Sequence, residues 1–202
     1  MNRAVFLDRD GTLNALVYYV DTKEYESPRE AQAFTILPGV DKALKLLSAS
    51  GYSLFLVSNQ PSYAKGKTSL ENLLAVHANL THQLKVIDIQ LTEGYYCYHH
   101  PKGVVPAYTT ACNCRKPGIE SLLRARDAYG LDLKGSWMIG DQDTDIQCGM
   151  NAGCHTILLD YAPSANKRDV IPGLQPDARC ASLEQAVALL LSQDSQGRQT
   201  GF

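Results

Sequence analysis

The first apolar segment runs straight into a pair of acids, Ala4-Val5-Phe6-Leu7-Asp8-Arg9-Asp10-Gly11-Thr12, and this junction constrains the fold more than any other. An unbroken apolar run of that length reads as a strand covered on both faces, the habit of parallel sheets. Residues two apart on an extended strand point the same way, so Asp8 and Asp10 aim two carboxylates at one small volume. Like charges that close need a shared cation, or a proton on one of them. Both arrangements suit phosphoryl transfer. A bare Asp-x-Asp-Gly is also a common turn, so the reading depends on the motifs further along the chain.

Helical and strand patterns then alternate. Residues 13 to 35 are polar and aromatic without a period and read as a loop or flap. Pro38-Gly39-Val40 opens a helix with one apolar face, closed by Gly51. Tyr52 to Val57 reads as a strand ending in Ser58-Asn59-Gln60. Thr68-Ser69-Leu70-Glu71 reads as a capping box for a helix reaching about Lys85. Further strands are expected at Gly94–Tyr98, Ser136–Ile139 and His155–Leu159. Further helices are expected at Gly118–Tyr129, Asp143–Ala152 and from Ser182 to about Leu191. Such alternation implies a three-layer, Rossmann-like α/β fold, a parallel sheet with helices on both faces. Reactive groups in such folds collect at the carboxyl ends of the strands. Asp8/Asp10, Ser58-Asn59 and Gly140-Asp141 all fall there.

At 202 residues, 45% hydrophobic and 20% charged, the composition suits one buried core, a single domain over residues 1–192, with 193–202 read as a disordered tail. The net charge of −2 gives no reason to expect nucleic acid or a membrane surface as partner. A monomer is the expectation. The short apolar start, broken at Asp8, resembles neither a signal peptide nor a spanning helix, so the cytoplasm is the expected location. In that reducing compartment six cysteines are a poor disulfide framework, and a cluster of them reads as a metal site.

With Arg115-Lys116-Pro117 added, the strand ends hold the parts of a phosphoryl-transfer site. Asp8 reads as the nucleophile, ionised at neutral pH and able to form an acyl phosphate. Asp10 reads as the acid that protonates the leaving oxygen and then as the base that activates water. Asp8, Asp10 and Asp141 are the candidate Mg²⁺ ligands, Asp8 and Asp141 joined by a backbone carbonyl in a hard, all-oxygen set. Lys116 and the Ser58 hydroxyl would neutralise the equatorial oxygens. Arg115, with its planar fork, is the candidate for a remote substrate group. Separately, Cys97, His99, Cys112 and Cys114 supply three thiolates and an imidazole from the two ends of one loop, residues 97–114, a donor set for a closed structural Zn²⁺ site. His100 is the alternative imidazole. Cys148, Cys154, Cys180 and Trp137 read as core, and His77 and His82 as surface or satisfied helix residues.

The motifs Asp8-Arg9-Asp10-Gly11-Thr12, Ser58-Asn59-Gln60, Arg115-Lys116-Pro117 and Gly140-Asp141 with Asp145 resemble, in order, the four motifs of the haloacid dehalogenase superfamily of phosphatases. Cys-x-His and Cys-x-Cys beside Arg-Lys-Pro resemble the subfamily of D,D-heptose 1,7-bisphosphate phosphatases and the related histidinol-phosphate phosphatases. Asn59 to Lys67 and Tyr95 to Pro101 look closer to the heptose enzymes. The resemblance implies a Mg²⁺-dependent phosphatase with an aspartyl-phosphate intermediate and no large cap domain, removing the C7 phosphate of D-glycero-D-manno-heptose 1,7-bisphosphate or of a close sugar phosphate. It also implies that Asn59, Gln60, Arg115, Lys116 and Gln142 meet the substrate.

Three departures bear on the sugar. Leu16-Val17-Tyr18-Tyr19 and a longer flap stand where the heptose enzymes carry Asp-His-Gly-Tyr, Gln142 stands for a lysine, and Pro61 for a small polar residue. Asp143 to Gln147 is more like the histidinol enzymes. Histidinol-phosphate phosphatase is therefore the alternative activity, and a non-catalytic zinc-stabilised binding module is the alternative from a different class.

Overall fold

A computed structural model of the chain describes residues 2–168 and 170–199. Its centre is a six-stranded parallel sheet built from β1 (Ala4–Leu7), β4 (Ser53–Asn59), β5 (Glu93–Cys97), β6 (Trp137–Gly140), β7 (His155–Leu159) and β8 (Ala178–Cys180), in the order β5-β4-β1-β6-β7-β8. A two-stranded antiparallel hairpin, β2 (Val17–Tyr19) with β3 (Glu24–Glu26), stands apart from it.

The strands are apolar throughout because helices cover both faces. Val5 and Leu7 join Leu54, Leu56 and Ile139 in one buried cluster, beneath α1 (Val40–Ala49), α2 (Leu70–Val86) and α5 (Leu183–Gln199). Ala4 and Phe6 face the other way, onto Phe55, Val57 and Met138, beneath α3 (Glu120–Tyr129) and α4 (Asp143–Ala152). The two-residue period of a strand thus feeds two cores at once. In α1 the buried residues are Val40, Ala43, Leu44 and Leu47, the stripe that a 3.6-residue period requires.

Every expected helix and strand is present. The differences lie at the edges. Residues 13 to 35 are not a loop throughout: they carry the hairpin, whose alternation is too short to stand out among tyrosines and charges. Strand β8, an edge strand of three residues, leaves no clear sequence pattern for the same reason. The cap of α2 is Ser69, whose hydroxyl accepts from Asn72 N–H at 3.1 Å, while Thr68 donates to the Arg29 carbonyl at 2.6 Å. The stretch read as a disordered tail from Gln193 continues α5 to Gln199. Asp194 explains this, because it accepts from Arg3 Nη1 at 2.7 Å and from the Tyr52 hydroxyl at 2.6 Å. Residues 200–202 of that stretch lie outside the described residues.

Close packing of α4 on the sheet depends on Gly149, where a Cβ would lie 2.6 Å from Thr156 Cγ2 and 2.7 Å from Met138 Cβ. Gly149→Ala should therefore destabilise the protein by about 1–3 kcal/mol in urea unfolding, despite the better helix propensity of alanine. An unchanged or higher midpoint would show that α4 has room to move away.

Candidate active site and metal centre

Three adjacent strands, β4, β1 and β6, deliver the polar motifs to one edge of the sheet. Asp8 follows β1, its N–H donating to the Ile139 carbonyl of β6 at 2.9 Å. Asp141 follows β6, and Ser58 and Asn59 end β4. The chain then turns sharply at Gly11, whose φ of +85° and closeness to the Asp141 carboxylate leave no room for a side chain.

Asp8, Asp141 and Asp145 form a buried carboxylate cluster, with one oxygen of each within 4.8 Å of the others. Lys116 balances it. Its ammonium donates to Asp8 Oδ1 at 2.6 Å and to the Val57 carbonyl at 2.5 Å, and pairs with Asp145 Oδ1 at 2.8 Å. Burial works against this charge, but Asp145 and Asp8 outweigh it and hold the Lys116 pKa above its ordinary value. For Asp8, burial dominates and pushes the carboxyl up to about 7, against the pull of Lys116. Burial, followed by the charges of Asp8 and Asp145, likewise raises Asp141 well above the carboxylate range.

Asp141 Oδ1 is buried and has no hydrogen-bond partner. Such an orphan acceptor beside a second carboxylate suits a hard cation with oxygen ligands. Asp145 is differently engaged: Oδ1 meets Lys116 and Oδ2 accepts from Gln142 N–H at 3.0 Å. The Asp10 side chain, expected among the metal ligands, is not part of this cluster. Its Oδ1 accepts from Arg9 Nη2 at 3.0 Å and Asn14 Nδ2 at 3.0 Å, its Oδ2 from Gln60 Nε2 at 2.5 Å. The reason is Arg9, which alternation turns away from Asp8 yet whose long side chain returns to the neighbouring carboxylate.

An open cavity of about 270 Å³ covers the cluster, and Asp8, Asp10, Asn59, Arg115, Lys116, Asp141 and Gln142 all line it. Two expected site residues do not. Gln60 is wholly buried, donating to Asp10 and to Ser58 Oγ at 2.9 Å and accepting from Arg9, so it shapes the acid rather than the cavity surface. Ser58 is buried beside it. Asn59 faces the cavity but is also a clamp: its Oδ1 accepts from Lys116 N–H at 3.0 Å and its Nδ2 donates to the Lys116 carbonyl at 3.1 Å. Gln142 Nε2 donates to Asp141 Oδ2 at 3.1 Å.

The second constellation assembles as the spacing suggests. The sulfurs of Cys97, Cys112 and Cys114 are 3.2–3.4 Å apart, and His99 Nδ1 lies 3.8 Å from Cys97 and 3.6 Å from Cys114. Donors this close suit one small tetrahedral ion of the kind that zinc provides. His100, the alternative imidazole, is occupied elsewhere, accepting from Lys102 N–H at 3.1 Å. Cys148, Cys154 and Cys180 are buried.

Sequence reasoning gave no role to Arg9 or to the hairpin anchor. Glu26, buried at the end of β3, receives Arg29 Nη2 at 2.9 Å and also pairs with Lys67. The Arg29 guanidinium lies 3.9 Å from the centre of the Tyr19 ring. A cation flanked by two acids, Asp8-Arg9-Asp10, was the available signal for Arg9. Glu26 and Lys67 are too far apart in sequence to have given one.

A family profile described as HAD-hydrolase-like matches residues 113–186. Among curated relatives, the D-glycero-beta-D-manno-heptose-1,7-bisphosphate 7-phosphatase of Salmonella typhi is 36% identical over 156 residues, covering 77% of this chain and 79% of that protein. The chain belongs to the haloacid dehalogenase superfamily, in the family of the heptose bisphosphate phosphatases. It is a phosphoric monoester hydrolase. A further member, from Haemophilus influenzae, is 38% identical over 152 residues, covering 75% of this chain and 78% of that one. Solved structures agree in fold. A HAD-like phosphatase from Mesorhizobium loti superposes with a TM-score of 0.76 at 26% identity, over 95% of this chain and 87% of that one. The D,D-heptose 1,7-bisphosphate phosphatase of B. bronchiseptica, complexed with magnesium and phosphate, gives 0.75 at 23% identity, over 95% and 99% of the two chains.

Crowded carboxyls make a prediction about pH. A carboxyl with a folded pKa above its unfolded value keeps in the fold a proton that the unfolded chain has released. Stability therefore falls as pH rises from about 4 through about 7. In buffer without divalent cations, Asp141→Asn should be more stable than wild type at pH 8, by about 1–3 kcal/mol. The gap should shrink at pH 5. Urea unfolding followed by Trp137 fluorescence at both values tests this, and a variant less stable at pH 8 would refute it.

Proposed function

We propose that the protein removes the C7 phosphate of D-glycero-D-manno-heptose 1,7-bisphosphate, or of a close sugar phosphate, through an aspartyl phosphate on Asp8. The observation that carries the reading is the buried set of Asp8, Lys116, Asp141 and Asp145 at the floor of an open cavity. The names of the family members supply the substrate.

An Asp8 oxygen attacks phosphorus as the ester P–O bond breaks, and Asp10 gives its proton to the departing sugar oxygen. Asp10 then takes a proton from water, whose oxygen attacks phosphorus. The Asp8–phosphorus bond breaks, phosphate leaves and both carboxyls are restored. Lys116 holds equatorial oxygens, the buried Ser58 hydroxyl expected to share that role instead holds Gln60, and Gln60 and Asn59 keep Asp10 and Lys116 in register. Asp8 and Asp141, joined by a backbone carbonyl, would hold Mg²⁺, which supplies positive charge against that developing on the phosphoryl group. Asp145 serves here to orient Lys116. Arg115 and Gln142 at the cavity wall are the candidates for the sugar and its remote phosphate.

Cys97, His99, Cys112 and Cys114 would hold Zn²⁺ with no open position, a structural ion that fixes the start of the segment carrying Arg115 and Lys116. The reading includes a single-domain monomer in the cytoplasm, without nucleic-acid or membrane partners. No helix among the described residues is long and apolar enough to cross a membrane.

Phosphate release should be measured on both anomers of the heptose bisphosphate, on histidinol phosphate and on p-nitrophenyl phosphate. The expected result is the highest kcat/KM on one bisphosphate anomer and at least about a 10³-fold loss of kcat in Asp8→Asn. Preference for histidinol phosphate would replace the substrate assignment, and an active Asp8→Asn would remove the mechanism. For the zinc loop, Cys112→Ser should lower bound zinc and raise KM by about tenfold or more, with added magnesium failing to restore it. Full activity without zinc would end the structural role.

A further inference from the structure

The hairpin is too small to hold its own shape. Two strands of three residues each are marginal in water, so what fixes β2 and β3 beside the cavity comes from outside the pair. One residue supplies most of it. The Arg29 guanidinium donates from Nη1 to Asp21 Oδ2 at 2.8 Å and from Nε and Nη2 to Glu26 Oε2 at 3.3 and 2.9 Å, and it lies 3.9 Å from the centre of the Tyr19 ring. Its backbone joins in: Arg29 N–H donates to the Tyr19 hydroxyl at 2.8 Å, and the Arg29 carbonyl accepts from Thr68 Oγ1 at 2.6 Å. Tyr19 is thus gripped by one residue at both its ring face and its hydroxyl, and that residue is fastened to the start of α2. The Asp21 carboxylate is mostly exposed and adds little, so Glu26 and Tyr19 carry the grip.

Strand alternation sorts the side chains of the hairpin. Tyr19 stands opposite Glu24, and Val17 opposite Glu26, on the face that Arg29 holds. Tyr18 stands opposite Tyr25 on the other face, their rings edge to face with centroids 5.3 Å apart and planes at 63°. Both are exposed, and Tyr25 lines the cavity whose floor is the carboxylate cluster. A lone exposed tyrosine would carry no meaning. This one has its ring orientation set by a second ring, and the ribbon that carries it is clamped by a cation with only 15% of its side chain exposed. An aromatic face matches the C–H face of a sugar ring, which the charged groups of the floor cannot grip.

We infer that Tyr25 is a specificity-determining residue that contacts the leaving sugar, and that Arg29 is the positioning residue that holds it at the cavity wall. The inference rests on the proposed reading that the cavity takes a sugar phosphate.

The test compares kcat and KM on the preferred sugar phosphate with those on acetyl phosphate, which offers the same phosphoryl group on a leaving acetate with no ring to stack. Tyr25→Ala should lower kcat/KM on the sugar ester about tenfold, mostly through KM, and on acetyl phosphate less than about twofold. Tyr25→Phe, which keeps the ring, should stay within about threefold of wild type on both. Arg29→Ala should reproduce the selective loss. Arg29→Lys keeps the charge without the fork and should recover part of it. If Arg29 acts through Tyr25, the double variant Tyr25→Ala/Arg29→Ala loses no more on the sugar ester than Tyr25→Ala alone. Additive losses would overturn the positioning role, and Arg29→Lys combined with Tyr25→Ala gives the same comparison if Arg29→Ala does not fold. Equal losses on both substrates in Tyr25→Ala, or none on either, would overturn the specificity role while leaving the phosphatase reading in place. Histidinol phosphate outrunning every sugar ester in the wild type would instead remove the substrate reading, and this inference with it.

Discussion

Everything at this site depends on one buried ammonium. Lys116 sits between Asp8 and Asp145, 2.6 and 2.8 Å away. Without it, three carboxylates in a space with little water would repel one another by more than a small domain can absorb. Desolvation makes each of these charges costly and their mutual attraction strong. The balance remains short of positive charge, as the raised carboxyls of Asp8 and Asp141 record. A pocket so built favours an added cation, whose charge then offsets that of an anionic phosphate group. Asn59 holds the Lys116 backbone by both its N–H and its carbonyl, so the segment and the strand end are locked whatever occupies the cavity.

The sheet and the site were legible in the sequence to different depths. Strands such as Val5–Leu7 and Leu54–Val57 were plain because burial on both faces leaves an uninterrupted apolar run, and α1 was plain because its stripe repeats at 40, 43, 44 and 47. The strand ends then placed Asp8, Ser58 and Asp141 together by topology alone. Contacts that depend on rotamers were less visible. Nothing in the order of residues says that Gln60 turns inward to Asp10, or that Asp145 spends both oxygens on Lys116 and a backbone amide. The hairpin was hidden because Val17–Tyr19 and Glu24–Glu26 are three residues each. Its anchor, Glu26 to Lys67, joins segments about forty positions apart.

Two clusters adjoin residues that line the cavity, and they differ in kind. On one side, the three thiols and one imidazole gather within bonding reach of a single ion just before Arg115. On the other, Glu26 binds Arg29 and Lys67, tying the hairpin to the loop after β4. The first suits a soft metal and reducing surroundings, and the second is a charge network shielded from solvent.

The hairpin contributes no strand to the central sheet, yet its Glu24, Tyr25 and Glu26 line the cavity. Tyr18 and Tyr25 stand exposed on it, so a change at either would leave the sheet and the carboxylate cluster intact. Part of the cavity wall is thus carried on a ribbon outside the sheet that bears the carboxylates.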